Sequence, residues 1–177
     1  MNERVVVVNA SKMNYDHLLD FSVLSNDVQV YDDSTNAELI ERIQGAAVVV
    51  TKEIPVGAEL FSQFPESVKL IVEAGTGYNN IDLDAARAKG ITVCNIPAYS
   101  TERVAHTAIM MLLNFASTMQ QQIGMLARGD RSNFTKHLQV PHTEVNGKTL
   151  GIIGAGHIGM AVVKVAKALD MNILIHT

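Results

Sequence analysis

Short apolar runs rich in β-branched residues alternate with helix-like segments over the first hundred residues. The apolar runs, each of which predicts a strand, are Arg4–Ala10, Val28–Asp32, Ala46–Thr51, Val68–Ala74 and Ile91–Cys94. The segments between them, each of which predicts a helix, lie near Asn14–Phe21, Asn36–Ile43, Gly57–Phe64 and Asp82–Lys89. Because runs such as Val5–Val8 are apolar on both faces, they are typical of parallel strands covered by helices on each side. The alternation therefore predicts an α/β domain with a parallel sheet and right-handed crossovers.

The last of these helices has clear start and stop signals. Asp82 is the predicted N-cap, and Asp84 places negative charge where the helix dipole is positive. Arg87 and Lys89 place positive charge in the last turn. Gly90 is free to adopt the left-handed conformation that ends a helix.

A long helix is predicted next, from Ser100 or Thr101 to about Leu126. Because the block Ala108–Leu113 is apolar on every side, we expect this helix to be buried over most of its surface. It is longer than an ordinary crossover helix, so we expect it to span between domains or to pack against a second subunit. The polar stretch Arg128–Asn146 predicts a linker or surface loop with little regular structure.

The final segment predicts a new strand–helix–strand unit. Its parts are a strand at Lys148–Ile153, a glycine-rich turn at Gly154–Gly159, a helix at Ile158–Leu169 and a strand at Asn172–His176. We therefore predict two domains, residues 1–98 and residues 99–177.

Composition narrows the class of protein. With 47% hydrophobic and 18% charged residues, the chain is not a disordered tail, a coiled-coil rod or a collagen-like repeat. A formal net charge of −4 without a long basic run argues against nucleic acid or an anionic membrane as partner. The lone Cys94 cannot form an internal disulfide, so we expect a reducing compartment, the cytoplasm. The uncharged stretch 104–127 contains His106, Asn114 and three glutamines, which favours a buried helix over a membrane span.

The sharpest motif is G-A-G-H-I-G at 154–159, which matches G-x-G-x-x-G. A predicted strand precedes it and a predicted helix follows it, which is the context that a dinucleotide site requires. Gly154 would permit the tight turn, Gly156 would let the backbone approach a pyrophosphate, and Gly159 would let the helix pack closely on the strand. The alternative is an ordinary strand–helix turn.

The cofactor that this motif would hold is a dinucleotide. The amides around His157 and Ile158, at the start of the helix, would face its phosphates. An acidic residue about twenty residues after the glycines usually binds the ribose 2′-hydroxyl of NAD. That spacing falls on His176 and Thr177, and neither is acidic. The sequence therefore leaves both NAD and NADP open.

A second glycine-rich segment, Glu73–Asp82, follows the fourth predicted strand. Ligands of open α/β sheets bind at the carboxyl ends of the strands. Gly75 and Gly77, with one small residue between them, would expose backbone amides that suit a carboxylate. A βα turn that merely needs glycine is the alternative.

Together these motifs resemble the D-isomer-specific 2-hydroxyacid dehydrogenase family, which includes D-glycerate, D-lactate and phosphoglycerate dehydrogenases. The resembling segments read AGTGYNNIDLDAARAKGITVCNIPAYSTERVAHTAIMMLL and GKTLGIIGAGHIGMAVVKVAKALDMNILIH. The resemblance implies hydride transfer between NAD(P)(H) and C2 of a D-2-hydroxy or 2-oxo acid. It also implies a flavodoxin-like substrate domain, then a long helix that supports a homodimer, then the first βαβ unit of a Rossmann domain.

The resemblance also assigns roles to individual positions. Gly75, Thr76 and Gly77 match the substrate loop, whose backbone amides hold the acid's carboxylate. Thr76 and Val104 match positions that face the cofactor. The pyrophosphate-binding turn corresponds to Gly154, Gly156, His157, Ile158 and Gly159. The family often has arginine where His157 stands, and glutamate where His106 stands.

The family's catalytic arginine, glutamate and histidine match no position among these 177 residues, nor does the C-terminal helix that completes its first domain. No residue here is a convincing substitute. We expect His106 to be a packed or hydrogen-bonded residue of an apolar helix and Cys94 to be a small buried strand residue, while His137 and His142 match no metal-ligand spacing. We therefore expect a truncated dehydrogenase with no metal site that is inactive alone. The alternative is a non-catalytic binding or dimerisation module.

Overall fold

The computed structural model describes residues 3–177. The chain forms two compact units, one ending at Pro97 and the other comprising Ala98–Thr177. No helix in the described residues is long and apolar enough to cross a membrane.

The first unit contains a five-stranded sheet in which every pairing is parallel. Its strands are β1 Arg4–Val7, β2 Asp27–Val30, β3 Val48–Thr51, β4 Leu70–Glu73 and β5 Thr92–Cys94. Their order across the sheet is β2-β1-β3-β4-β5, the flavodoxin-like order of a doubly wound fold. The predicted α/β class and parallel sheet are confirmed.

The sheet is buried on both faces, as its apolar runs predicted. Val6 and Val8 belong to one buried cluster, and Val5 and Val7, which alternate with them, belong to another. Successive side chains of a strand point to opposite faces, so the run 5–8 supplies both cores at once. The larger cluster also contains residues of the flanking helices, among them Leu39, Leu60, Phe61 and Ala86.

Three of the four predicted helices form in this unit. They are α1 Asn36–Arg42, α2 Ala58–Ser62 and α3 Leu83–Ala88. Asp82 caps α3 as predicted, because its carboxylate accepts hydrogen bonds from the amides of Asp84 and Ala85 at 3.1 and 3.0 Å. Gly90 follows with a φ of +69°, the left-handed conformation that its position predicted.

The predicted helix at Asn14–Phe21 is wrong. Residues 14–20 form turns between two 3-10 segments, Ala10–Lys12 and Phe21–Leu24. The side chains of Asn14, Asp16 and Asp20 accept hydrogen bonds from the backbone amides of residues 19, 18 and 22, respectively. Side chains that bond nearby amides in this way offer the backbone an alternative to the helix.

The second unit contains four helices and a two-stranded sheet among its described residues. The elements are α4 Thr101–Ala116, α5 Met119–Ala127, α6 Ser132–Thr135, β6 Thr149–Ile153, α7 His157–Ala168 and β7 Asn172–His176. Strands β6 and β7 are parallel, and Ala105 and Ile109 of α4 pack with Val162 and Ala166 of α7. The predicted βαβ unit is therefore present.

The predicted long helix is interrupted at Ser117 and Thr118. Thr118 has a φ of +51°, which ends α4 and starts α5 at a bend. The Ser117 hydroxyl donates to the Leu113 carbonyl at 2.8 Å, and the Thr118 hydroxyl donates to the Pro141 carbonyl at 2.6 Å. Hydroxyl groups that bond backbone carbonyls in this way bend or break helices.

The expectation that this helical region is buried over most of its surface is also wrong. Within α4 and α5 only Ala105, Ile109 and Met125 are buried. Five large apolar side chains of these helices are half exposed or more: Met110, Met111, Phe115, Ile123 and Leu126.

Candidate functional site

The glycine-rich turn lies between β6 and α7. Gly154 follows the strand with a φ of +90°, and its amide donates to the His176 carbonyl at 2.8 Å. Gly156 is the N-cap of α7, and His157 is the first residue of that helix. The left-handed conformation of Gly154 is one that other residues rarely adopt.

The last glycine of the motif is required by a close contact. A Cβ on Gly159 would lie 2.1 Å from the carbonyl oxygen of Gly154 and 3.5 Å from the Ile152 side chain. The start of α7 and the end of β6 therefore lie so close together that a side chain at position 159 would not fit between them. Gly156 differs, because no described atom beyond its chain neighbours lies within 4 Å of the place where its Cβ would stand.

The backbone amides that begin α7 are available to a ligand. Among residues 3–177 no acceptor is bonded to the amides of Gly156, His157, Ile158 or Gly159. The first hydrogen bond into the helix runs from the Met160 amide to the Gly156 carbonyl at 2.9 Å. Since a helix of twelve residues presents the positive end of its dipole there, this turn suits an anionic group.

The second glycine-rich segment is a loop that leaves β4. Strands β3 and β4 end side by side, with Thr51 paired to Glu73. The carbonyls of Gly75 and Thr76 accept hydrogen bonds from the Ile96 amide at 2.9 Å and the Asn95 side chain at 2.8 Å. These bonds tie the loop to the chain that leaves β5.

The amides of this loop are used differently from its carbonyls. In the described part of the chain the amides of Gly75 and Gly77 donate to no acceptor. Consecutive amides around a glycine turn form a concave site for anionic oxygens. The loop therefore offers donors to a carboxylate at the carboxyl end of the sheet.

Sequence reasoning missed a buried carboxyl group beneath this loop. The Glu73 side chain is fully buried, and it accepts hydrogen bonds from the Glu53 amide, at 3.0 and 3.2 Å to its two oxygens, and from Asn80 Nδ2 at 3.0 Å. It thus joins the end of β3 to the far end of the loop. The signal in the sequence was an acidic residue closing the apolar run Leu-Ile-Val-Glu.

Lys52, which sequence reasoning also missed, lies beside the same loop. Its Nζ is 3.0 Å from the place where a Cβ on Gly75 would stand and 3.2 Å from Glu53 Oε1. Asn9 holds the Lys52 backbone, accepting from the Lys52 amide at 2.9 Å and donating to the Lys52 carbonyl at 2.6 Å. The Asn9 side chain is fully buried, so the base of this lysine is fixed.

The remaining candidates have different surroundings. Thr76 lies in the first unit, where its hydroxyl donates to the Ile96 carbonyl at 3.1 Å, and Val104 lies partly exposed on α4 of the second unit. His106 is exposed, so it is not the packed residue that was one of the two expectations, and its Nε2 lies 3.7 Å from Glu102 Oε2. Cys94 is exposed at the end of the edge strand β5, so the expectation of burial is wrong.

No described group of three or more histidine, cysteine, aspartate or glutamate side chains could hold a metal ion.

Three carboxyl groups have a lowered pKa, because nearby hydroxyl and amide groups donate hydrogen bonds to them: Asp20, Glu38 and Asp130. They belong to other turns and helix starts. Neither glycine-rich segment contains them.

Relatives of known function resemble this chain over most of its length. The D-3-phosphoglycerate dehydrogenase of Methanocaldococcus jannaschii is 39% identical over 150 residues, which cover 84% of this chain and 28% of that protein. The glycerate dehydrogenase of Methylorubrum extorquens is 34% identical over 142 residues, which cover 79% of this chain and 45% of that protein. This chain thus spans less than half of either relative.

Solved structures show the same architecture. The D-lactate dehydrogenase of Aquifex aeolicus, in complex with NAD and lactic acid, superposes with a TM-score of 0.84 at 26% identity, covering 98% of this chain and 51% of that chain. A glyoxylate reductase from Paecilomyes thermophila gives a TM-score of 0.81 at 26% identity, covering 99% of this chain and 55% of that chain. The profile of the D-isomer specific 2-hydroxyacid dehydrogenase catalytic domain matches residues 5–168. The chain therefore belongs to the D-isomer specific 2-hydroxyacid dehydrogenase family.

Proposed function

We propose that this chain recognises both substrates of an oxidoreductase that transfers a hydride between NAD(P)(H) and C2 of a D-2-hydroxy or 2-oxo acid. The observation that carries the proposal is the set of unbonded amides at the start of α7, next to a turn in which Gly159 contacts Gly154. The crystal structure of the Aquifex aeolicus relative contains NAD and lactic acid. Residues 1–98 would form the substrate domain and residues 99–177 the start of the NAD(P)-binding domain.

On the cofactor side, the pyrophosphate would lie against the turn after β6. The residues that would hold it are Gly154, Gly156, His157, Ile158 and Gly159. The open space beside Gly156 leaves room for a phosphate to approach the backbone. Thr76 and Val104 would face the nicotinamide side. Both NAD and NADPH occur in related structures, and the proposal includes either cofactor.

On the substrate side, the loop of Gly75, Thr76 and Gly77 would hold the carboxylate of the acid. The unbonded amides of Gly75 and Gly77 support this role. Bonds from Asn95 and Ile96 to the loop carbonyls fix the loop before a ligand arrives, which reduces the ordering cost of binding. This chain's own residues thus orient the acid.

The nicotinamide, when bound, supplies or accepts the hydride. The proton that accompanies it needs a donor near the substrate oxygen, and the family's catalytic arginine, glutamate and histidine match none of these 177 residues. We therefore assign to this stretch the binding and orientation of the two reactants, with turnover requiring groups that it does not contain.

A homodimer in the cytoplasm completes the proposal. The exposed apolar side chains of α4 and α5 support a subunit interface there, because such side chains are typical of association surfaces. The same observation favours a second candidate function, a non-catalytic dimerisation or binding module. A dimer that does not bind dinucleotide would favour that second function.

The test uses Gly156→Asp and the quenching of NADH fluorescence. An aspartate at this N-cap would accept hydrogen bonds from the first amides of α7, so the variant should be at least as stable as the wild type while NADH affinity falls about tenfold or more. Gly57→Asp is the matched control, because Gly57 is also an N-cap with a negative φ and open space beside it. Undiminished NADH binding by a folded Gly156→Asp variant would contradict the proposal.

A further inference from the structure

The substrate loop has a cation beside it that the family resemblance did not assign. Lys52 directly follows β3, and Ala74, which opens the loop, donates its amide to the Thr51 carbonyl at 2.7 Å. The Lys52 side chain is only 19% exposed. Its Nζ occupies the space that a side chain at position 75 would fill. The absence of a side chain on Gly75 therefore lets an ammonium group lie against the loop.

The backbone around this lysine is held in an uncommon conformation. Glu53 has a φ of +59° although it is not glycine, and its amide is the group that donates to both oxygens of the buried Glu73. Asn9 fixes the Lys52 backbone on the other side, from a position 43 residues away. Strained backbone that the surrounding structure maintains occurs frequently at ligand sites.

The lysine has one ion-pair partner among the described residues, and that partner is easily displaced. The Glu53 side chain is 66% exposed, and exposed ion pairs contribute little free energy. A carboxylate ligand bonded to the Gly75 amide would bring its negative charge close to Lys52 Nζ. It could replace the Glu53 carboxylate without leaving the ammonium unpaired.

We propose that Lys52 is a substrate-binding residue, whose ammonium group binds the carboxylate of the 2-hydroxy or 2-oxo acid beside the Gly75 amide. When the acid binds, its carboxylate replaces the Glu53 carboxylate as the ion-pair partner of Lys52. The inference rests on the proposed role of the Gly75–Gly77 loop. It adds a positive charge to a site that otherwise consists of the loop amides and the buried Glu73 carboxyl group, whose Oε1 is 3.2 Å from the place where a Cβ on Gly75 would stand. It also gives Gly75 a second task, to leave room for the ammonium.

The test measures binding of oxamate, a carboxylate isostere of pyruvate, to the isotopically labelled 177-residue chain by amide chemical shifts. Lys52→Gln should raise the dissociation constant about tenfold, and Lys52→Arg should restore part of the affinity because it restores the charge. Glu53→Gln should tighten binding, since it removes the competing carboxylate. The control Lys69→Gln removes an exposed lysine of the same unit and should change the constant less than about twofold.

The outcomes separate this inference from the function on which it rests. If oxamate shifts the Gly75 and Gly77 amides of the wild type and of Lys52→Gln with equal affinity, the role of Lys52 is wrong and the loop assignment stands. If the wild-type loop amides do not respond, the loop assignment fails and the role of Lys52 fails with it. Weaker binding by Glu53→Gln would overturn the proposed exchange. Unchanged amide dispersion in each variant shows that the fold is retained.

Discussion

Single residues decide where a ligand can approach the backbone. Gly156 and Gly159 belong to one motif, yet the space around them differs: one has open space and the other meets a carbonyl oxygen. The sequence could assign these separate tasks because each follows from the geometry of a strand–turn–helix unit. It could not reveal Lys52 or Glu73, because their hydrogen-bond partners Asn9 and Glu53 lie after other strands, 43 and 20 residues away in sequence.

At this scale we predict that Gly159→Ala destabilises the second unit by about 3 kcal/mol, since the close contact between helix and strand must open. Alanine favours a helix by up to about 1 kcal/mol over glycine, so the contact has to outweigh that gain. Urea denaturation measures the difference. Gly151→Ala is the control, because open space lies beside Gly151. A Gly159→Ala variant as stable as the wild type would show that the contact between residue 159 and the Gly154 carbonyl does not exclude a side chain at this position.

At the scale of elements, long apolar runs predicted the positions of strands more accurately than mixed polar and apolar segments predicted the positions of helices. The strands of the first unit form where the β-branched runs lie, with ends that differ from the predicted ones by up to three residues. The helix at 14–21 fails because its Asn and Asp side chains bond local amides. The bend at Ser117 and Thr118 was missed because no glycine or proline marks it. The Pro141 carbonyl that accepts from the Thr118 hydroxyl is 23 residues away in sequence.

The exposed side chains of α4 and α5 carry a prediction about association. Phe115 is 82% exposed, and we expect it to be covered in the proposed homodimer. Phe115→Asp should therefore shift the sedimentation mass of the chain from dimer to monomer, because burying a lone carboxylate is costly. Tyr15→Asp, at an exposed aromatic residue of the first unit, should leave the mass unchanged. A wild-type chain that sediments as a monomer would contradict the dimer.

At the scale of the whole molecule, each of the two compact units contains one of the two proposed recognition elements. The proposed substrate loop belongs to the first unit and the glycine-rich turn to the second. The parallel sheet of the first unit and the βαβ unit of the second both followed from alternating patterns in the sequence. A single βαβ unit is less than one half of a complete dinucleotide-binding fold.

This division predicts binding without turnover. The purified 177-residue chain should oxidise no NADH with glyoxylate, hydroxypyruvate or pyruvate, because reduction requires a proton donor and the family's catalytic arginine, glutamate and histidine match none of these residues. Absorbance at the nicotinamide band measures the reaction. Steady NADH oxidation that depends on one of these acids would show that the chain holds its own proton donor.

The most direct measurement for the central claim is an amide chemical-shift map of the wild-type chain titrated with NAD⁺. If the start of α7 receives the pyrophosphate, the largest shifts should fall on Gly156, His157, Ile158 and Gly159, and they should saturate. Inorganic diphosphate should shift the same amides, which separates phosphate recognition from binding of the rings. Saturable shifts elsewhere, with these four amides unchanged, would contradict the assignment of this turn as the dinucleotide site.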